Sequence, residues 1–96
     1  MDPNACLAII LDFSPANRRE GREACENLRC WLENGGFAPR FTSEMAPKSR
    51  YGECRYFRVD SRYAIMTKHP CNDSEGWIFL QYGPEGNVYQ SWELSR

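Results

Sequence analysis

Apolar and polar positions follow two different periods along this chain, and the change falls near residue 54. Up to Gly36 the spacing is helical. In "MDPNACLAIILDF" the apolar residues Leu7, Ile9, Ile10 and Leu11 run almost all round, the pattern of a helix buried on most sides or of a strand. Asp2 as N-cap and Pro3 at the first helical position, where its missing N–H costs nothing, favour the helix. In "SPANRREGREACENLRCWLENGG" the punctuation recurs, with Ser14 as candidate cap, Pro15 just inside and Gly35–Gly36 as the stop. Ala24, Cys25, Leu28, Trp31 and Leu32 share one stripe of that second helix. Arg19, Arg22, Glu23 and Glu26 occupy the other side as i to i+4 pairs, each worth roughly a few tenths of a kcal/mol. Cys30 lies about 200° from Leu28 and is expected to be the most exposed thiol on the helices.

Residues 37–53 keep no period and contain Pro39 and Pro47, so they read as a linker that Phe37, Phe41 and Met45 pin to the core. From Cys54 the period is two, with strands expected near 54–59, 62–67, 77–82 and 87–94. "WIFLQY" is nearly unbroken apolar and belongs inside the sheet with both faces covered. "GPEGN" predicts a type I turn with Gly86 at positive φ and a G1 bulge. The expected architecture is α+β in one domain of residues 1–96: a helical hairpin (1–36), the linker, and a four-stranded antiparallel meander (54–96).

"VDSR" reads as a two-residue connection through Asp60 and Ser61. That register opposes Val59 to Arg62, Phe57 to Ala64 and Arg55 to Met66 on the core face. Arg58 then faces Tyr63, Tyr56 faces Ile65 and Cys54 faces Thr67 on the other. A slip of one residue would exchange the faces. The outward Tyr56, Arg58 and Tyr63, with Arg55 and Arg62 at the ends of the other face, are the candidate surface for a partner or for nucleic acid, since rings flanked by cations stack single-stranded bases, although the arginines split between the two faces.

Composition sharpens this picture. Five Phe, five Tyr and three Trp in 96 residues are more rings than so small a core absorbs, which hints at a partner. The formal net charge of −1 predicts no strong overall attraction to nucleic acid or anionic membranes. Residues 40–69 nevertheless hold seven basic against three acidic groups (+4), and the remainder five against ten (−5). Five cysteines without a C-x-x-C pair do not make a secreted disulfide framework. No basic-then-apolar leader opens the chain, and "ACLAIIL" is too short to span a bilayer. A cytoplasmic protein with reduced thiols and no membrane partner is expected.

Chemistry is sparse. His69, Cys71 and Asp73 lack the spacing of a structural zinc site, so no metal and no cofactor is expected. Nothing places His69, the only imidazole, beside a nucleophile. The glutamates at 20, 23, 26 and 33 read as a solvated helix side, and Gly35–Gly36 ends a helix, the wrong polarity for a phosphate loop. These absences argue against an enzyme.

The start "MDPN" and the run "ENLRCWLENGGFAP" resemble the N-terminal hairpin of small bacterial proteins of the planctomycete type, in which a helix ends in W-L-x-x-G-G-F-x-P. The resemblance covers residues 1–39 through Asp2, Pro3, Trp31, Leu32, Gly35, Gly36, Phe37 and Pro39, and implies no activity, cofactor or catalytic residue. Its implication is structural: Trp31 fills the space between helices, and the glycines let Phe37 fold back. The expected function is a non-enzymatic protein-interaction module using an aromatic-rich sheet face, with another protein or a second copy as partner. The alternative is a weak single-stranded nucleic-acid binder.

Overall fold

The computed structural model describes residues 2–12, 14–49, 52–53, 55–69 and 75–95. Helix α1 spans Pro3–Leu11, and the Asp2 carboxylate caps it by accepting the Asn4 N–H at 2.9 Å. Helix α2 spans Arg18–Glu33 and follows a 3-10 turn at Pro15–Asn17, so Ser14 caps that turn and not α2 itself. Its exit is a Schellman motif: Gly36 N–H donates to the Trp31 carbonyl at 2.8 Å and Gly35 N–H to that of Leu32 at 3.1 Å. Gly35 takes φ +83° there. A Cβ on Gly36 would lie 2.4 Å from the Trp31 indole, so that position has no room for a side chain.

Trp31 therefore does not fill the space between helices. It is half-buried over its own helix exit, where its Nε1–H donates to the Phe37 carbonyl at 2.8 Å and its ring meets that of Phe37 edge-on. Of the three expected linker anchors only Phe41 is buried; Phe37 is 63% and Met45 40% exposed. The linker also carries a 3-10 turn at Ser43–Met45 and a small hairpin of β1 (Lys48–Ser49) and β2 (Gly52–Glu53).

The second half is the expected meander. Strands β3 (Tyr56–Arg58), β4 (Tyr63–Thr67), β5 (Trp77–Tyr82) and β6 (Val88–Leu94) lie in that order, all antiparallel. Residues 39–41 add a short parallel segment at the end of β6, where Ser95 N–H donates to the Pro39 carbonyl and Phe41 N–H to that of Ser95. In the Gly83–Asn87 turn Gly86 has φ +84° and donates to the Gly83 carbonyl. The register shift between Gln81 and Tyr82 is the bulge this turn requires.

One register differs from expectation, and the cause is Asp60. Its Oδ1 accepts the N–H groups of Arg62 (2.7 Å) and Tyr63 (3.0 Å), and Val59 N–H donates to the Tyr63 carbonyl at 3.0 Å. The side chain thus closes a three-residue connection, Asp60–Arg62, instead of the two-residue one. Tyr56 then faces Met66, Phe57 faces Ile65 and Arg58 faces Ala64. Strand β3 keeps the expected faces and β4 exchanges them.

The core follows from that register. Phe57, Val59, Tyr63, Ile65, Trp77, Phe79, Trp92 and Leu94 turn one face of the sheet to the helices. Cys6, Leu7 and Ile10 of α1 and Ala24, Cys25, Leu28 and Leu32 of α2 meet them, with Phe41 against Trp77. Each fully buried Leu, Ile or Phe contributes roughly 1.5–3 kcal/mol. Arg22 leaves the expected pair with Glu26 and reaches Asp60 at 3.6 Å, tying α2 to the β3–β4 connection.

Candidate functional site

The opposite face of the sheet has no helix over it among the described residues. Its rows follow from the pairing: Tyr56, Met66, Ile78 and Glu93 in one, Arg58, Ala64, Leu80 and Ser91 in the next, Tyr82 and Val88 in the third. Ala64 and Leu80 are buried even so. Ala64 leaves a notch in the middle row, and Tyr56 and Tyr82 reach across it until their hydroxyls lie 3.0 Å apart. Arg58, from the middle row, lays its guanidinium over the Tyr82 ring at 5.3 Å, a contact worth about 0.5–1 kcal/mol at an exposed site. The Arg58 Nε and Nη2 also donate to the carbonyls of Asp60 (3.0 Å) and Ser61 (3.5 Å). Burial, and the hydroxyl shared with Tyr56, raise the Tyr82 phenol above its ordinary pKa.

The face therefore covers its own centre and leaves its margins open. Met66 and Ile78 are half-buried, Tyr56 is 39% and Val88 54% exposed, and Lys68 pairs with Glu93 at 2.7 Å. β5 is an interior strand as expected, but its outer side chains Ile78 and Tyr82 are only partly covered, so "WIFLQY" is not sealed on both faces.

Tyr63 has to be withdrawn from the candidate surface. The three-residue connection puts it on the helix side, buried and stacked parallel to Phe79, with the Arg29 guanidinium near its hydroxyl. Burial outweighs that guanidinium and raises the Tyr63 phenol. Tyr56 and Arg58 stay on the open face, Arg55 is exposed just before β3, and Arg62 is exposed on the connection. The platform of Tyr56, Tyr63 and Arg58 on one face is not assembled. Its second ring is instead Tyr82, from a strand that sequence pairing had not brought to β3.

A cleft of about 420 Å³ opens at the end of the sheet, between the β3–β4 connection and the β5–β6 turn. Arg58, Arg62, Tyr82 and Tyr89 line it, with Gly83 and Pro84 forming the far wall. Among the described residues no acidic side chain lines it. Tyr89, at the bulge, is 71% exposed. No sequence period marks Tyr89, since the bulge that re-aims it is a property of the Gly86 turn.

Among the described residues no three His, Cys, Asp or Glu side chains come together, and His69 is exposed at the end of β4. Cys71 and Asp73 lie outside the described residues, as does Cys54. The helix thiols divide as the stripe predicts: Cys6 and Cys25 are buried and Cys30 is exposed. Burial pushes the Cys25 thiol far up. No helix among the described residues is long and apolar enough to cross a membrane. Comparison with protein-family models, with curated proteins and with solved structures finds no match, so the functional argument rests on this geometry.

Proposed function

We propose that this protein is a non-enzymatic interaction module that docks a protein partner on the open face of its sheet. The observation that carries the reading is where large apolar side chains stay exposed. Of six among the described residues, Tyr56 and Val88 stand on the open face, and Tyr89 at its turn end. Met66 and Ile78 extend the same surface. Arg58 and Arg62 add positive charge there, and neither guanidinium pairs with a carboxylate among the described residues. The partner surface that fits is apolar at its centre and rimmed by carboxylates. A second copy fits less well, because it would bring the same cations face to face. The thiols of Cys25 and Cys30, which form no disulfide, support a reducing compartment, and with it the cytoplasm.

The test is affinity capture followed by reconstitution with the purified partner. Met66→Asp and Ile78→Asp should each weaken the complex at least tenfold and leave the fold intact. A partner that binds both variants as tightly as the parent protein overturns the reading. If nucleic acid is captured, and its affinity collapses between low and moderate salt, the single-strand alternative replaces this one.

A further inference from the structure

We infer that the cleft at the turn end of the sheet is a binding site for a nucleoside phosphate. This goes beyond partner docking, because the cleft lies between two connections and is not the centre of the face. Three features of the cleft support it.

The first is a guanidinium held in place before any ligand arrives. Arg58 spends two N–H groups on the carbonyls of Asp60 and Ser61 and rests on the Tyr82 ring. Of its five N–H donors, three remain, in a fixed plane. Side-chain entropy, the usual cost of recruiting an arginine, is already spent in folding. The second is Arg62. Its side chain makes no hydrogen bond or ion pair among the described residues, yet it lines the same cleft. Asp60, the nearest carboxylate in sequence, is turned away: it accepts two backbone N–H groups and faces Arg22 on the helix side. Glu85, on the turn, is not among the residues that line the cleft; it lines an adjoining pocket that shares Gly83, Pro84 and Tyr89 with it. Two unneutralised guanidiniums beside one cavity match the charge of a phosphate, which guanidinium groups bind in bidentate fashion.

The third feature is Tyr89. The Tyr82 ring carries Arg58 and its hydroxyl is hydrogen-bonded to that of Tyr56, whereas Tyr89 is 71% exposed on the cleft wall. A ring so exposed is available for stacking on a base. Inorganic phosphate would leave it unused, and a neutral aromatic would leave the arginines unused. The 420 Å³ of the cleft falls in the range of small-ligand sites, about 300–1,000 Å³, and suits one nucleotide. The same chemistry comes from a free mononucleotide or from a terminal nucleotide of a single strand.

The experiment is a titration of the full chain, followed by amide chemical shifts, with a purine nucleoside 5′-monophosphate, a 5′-phosphorylated single-stranded hexanucleotide and inorganic phosphate. Saturable shifts centred on residues 61–62 and 82–89 are expected, with the nucleotide at least tenfold tighter than phosphate. Arg62→Ala and Tyr89→Ala, both exposed and outside the core, should each weaken it at least fivefold without moving the thermal midpoint. A free mononucleotide as tight as the hexanucleotide assigns the small molecule as source; a hexanucleotide at least tenfold tighter assigns a strand end. Phosphate binding as tightly as the nucleotide, unchanged affinity in both variants, or no saturation at millimolar ligand overturns the inference. Met66→Asp distinguishes the two readings: it should abolish partner docking and leave nucleotide affinity unchanged.

Discussion

Replacing Asp60 by alanine should destabilise the protein by about 1.5–4 kcal/mol, and the contributions can be separated. The Tyr63 N–H, part-buried and bonded to Oδ1 at 3.0 Å, would lose its acceptor; stranding a buried donor costs about 1–3 kcal/mol. The Arg62 N–H, bonded at 2.7 Å but exposed, would turn to water, a loss of about 0.5 kcal/mol. The ion pair with Arg22 spans 3.6 Å and the arginine is 44% exposed, so screening leaves it no more than about 0.5 kcal/mol. Asp60→Asn keeps an oxygen for both N–H groups and loses only the charge, so it should cost less than about 1 kcal/mol. Urea unfolding of the parent, both variants and the Arg22→Ala double mutant gives all of these differences in one experiment.

The same variants test the register. With three residues in the connection, Arg58–Ala64 and Tyr56–Met66 are the non-hydrogen-bonded pairs, whose α-protons approach most closely. Cross-strand α-proton contacts between those pairs are expected in the parent and in Asp60→Asn. If the alanine and asparagine variants lose equal stability, charge and not turn geometry sets this connection. α-Proton contacts of Arg58 with Tyr63, or of Tyr56 with Ile65, would mean that the two-residue register holds and that the description of the open face is wrong.

Gly36→Ala should cost about 1–3 kcal/mol and change the tryptophan emission, because its Cβ would meet the Trp31 indole at 2.4 Å. Gly35→Ala, which has open space around it but φ +83°, should cost about 1–2 kcal/mol and leave the emission as it is. Stability should fade in alkali: burial raises the Cys25 thiol above its ordinary 9.0, so its contribution is whole below pH 9 and lost as pH rises beyond it. The loss is at most about 1.4 kcal/mol per pH unit, and urea midpoints of Cys25→Ala should fall less steeply above pH 9. Among the helix thiols only Cys30 should react with a thiol reagent in the folded protein, Cys6 and Cys25 following only on unfolding; rapid labelling of either would refute the packing of α1 on α2.

The elements were legible in the sequence because each rests on a local signal. Asp2–Pro3 starts α1, Gly35–Gly36 ends α2, and the period-two runs end at Gly83–Asn87, so helices and strands fall within a few residues of expectation. The faces of β4 were not legible, because they depend on one hydrogen-bonding choice. A strand with Tyr63, Ala64, Ile65 and Met66 in succession is apolar on both sides and states no preference for either face. Asp60 decides it through its own side chain, and the "VDSR" stretch reads equally as two or three turn residues. Tyr89 was missed for a related reason: a bulge moves one residue out of alternation, and no period records it.

Which residue occupies the centre of the open face then settles what that face can do. Had Tyr63 stood opposite Arg58, two rings would have projected side by side as a flat platform. Instead the position belongs to Ala64, and a single methyl cannot fill the row between Tyr56 and Tyr82. The two phenols close over it, Leu80 is sealed beside it, and Arg58 is drawn onto Tyr82 toward the turn. Apolar exposure is thereby displaced from the middle of the sheet to Met66, Ile78 and Val88, and positive charge to the end where Arg62 and Tyr89 stand. An exposed apolar margin and a cationic cleft are two results of the same three-residue connection, and the acid that closes it is the residue on which both depend.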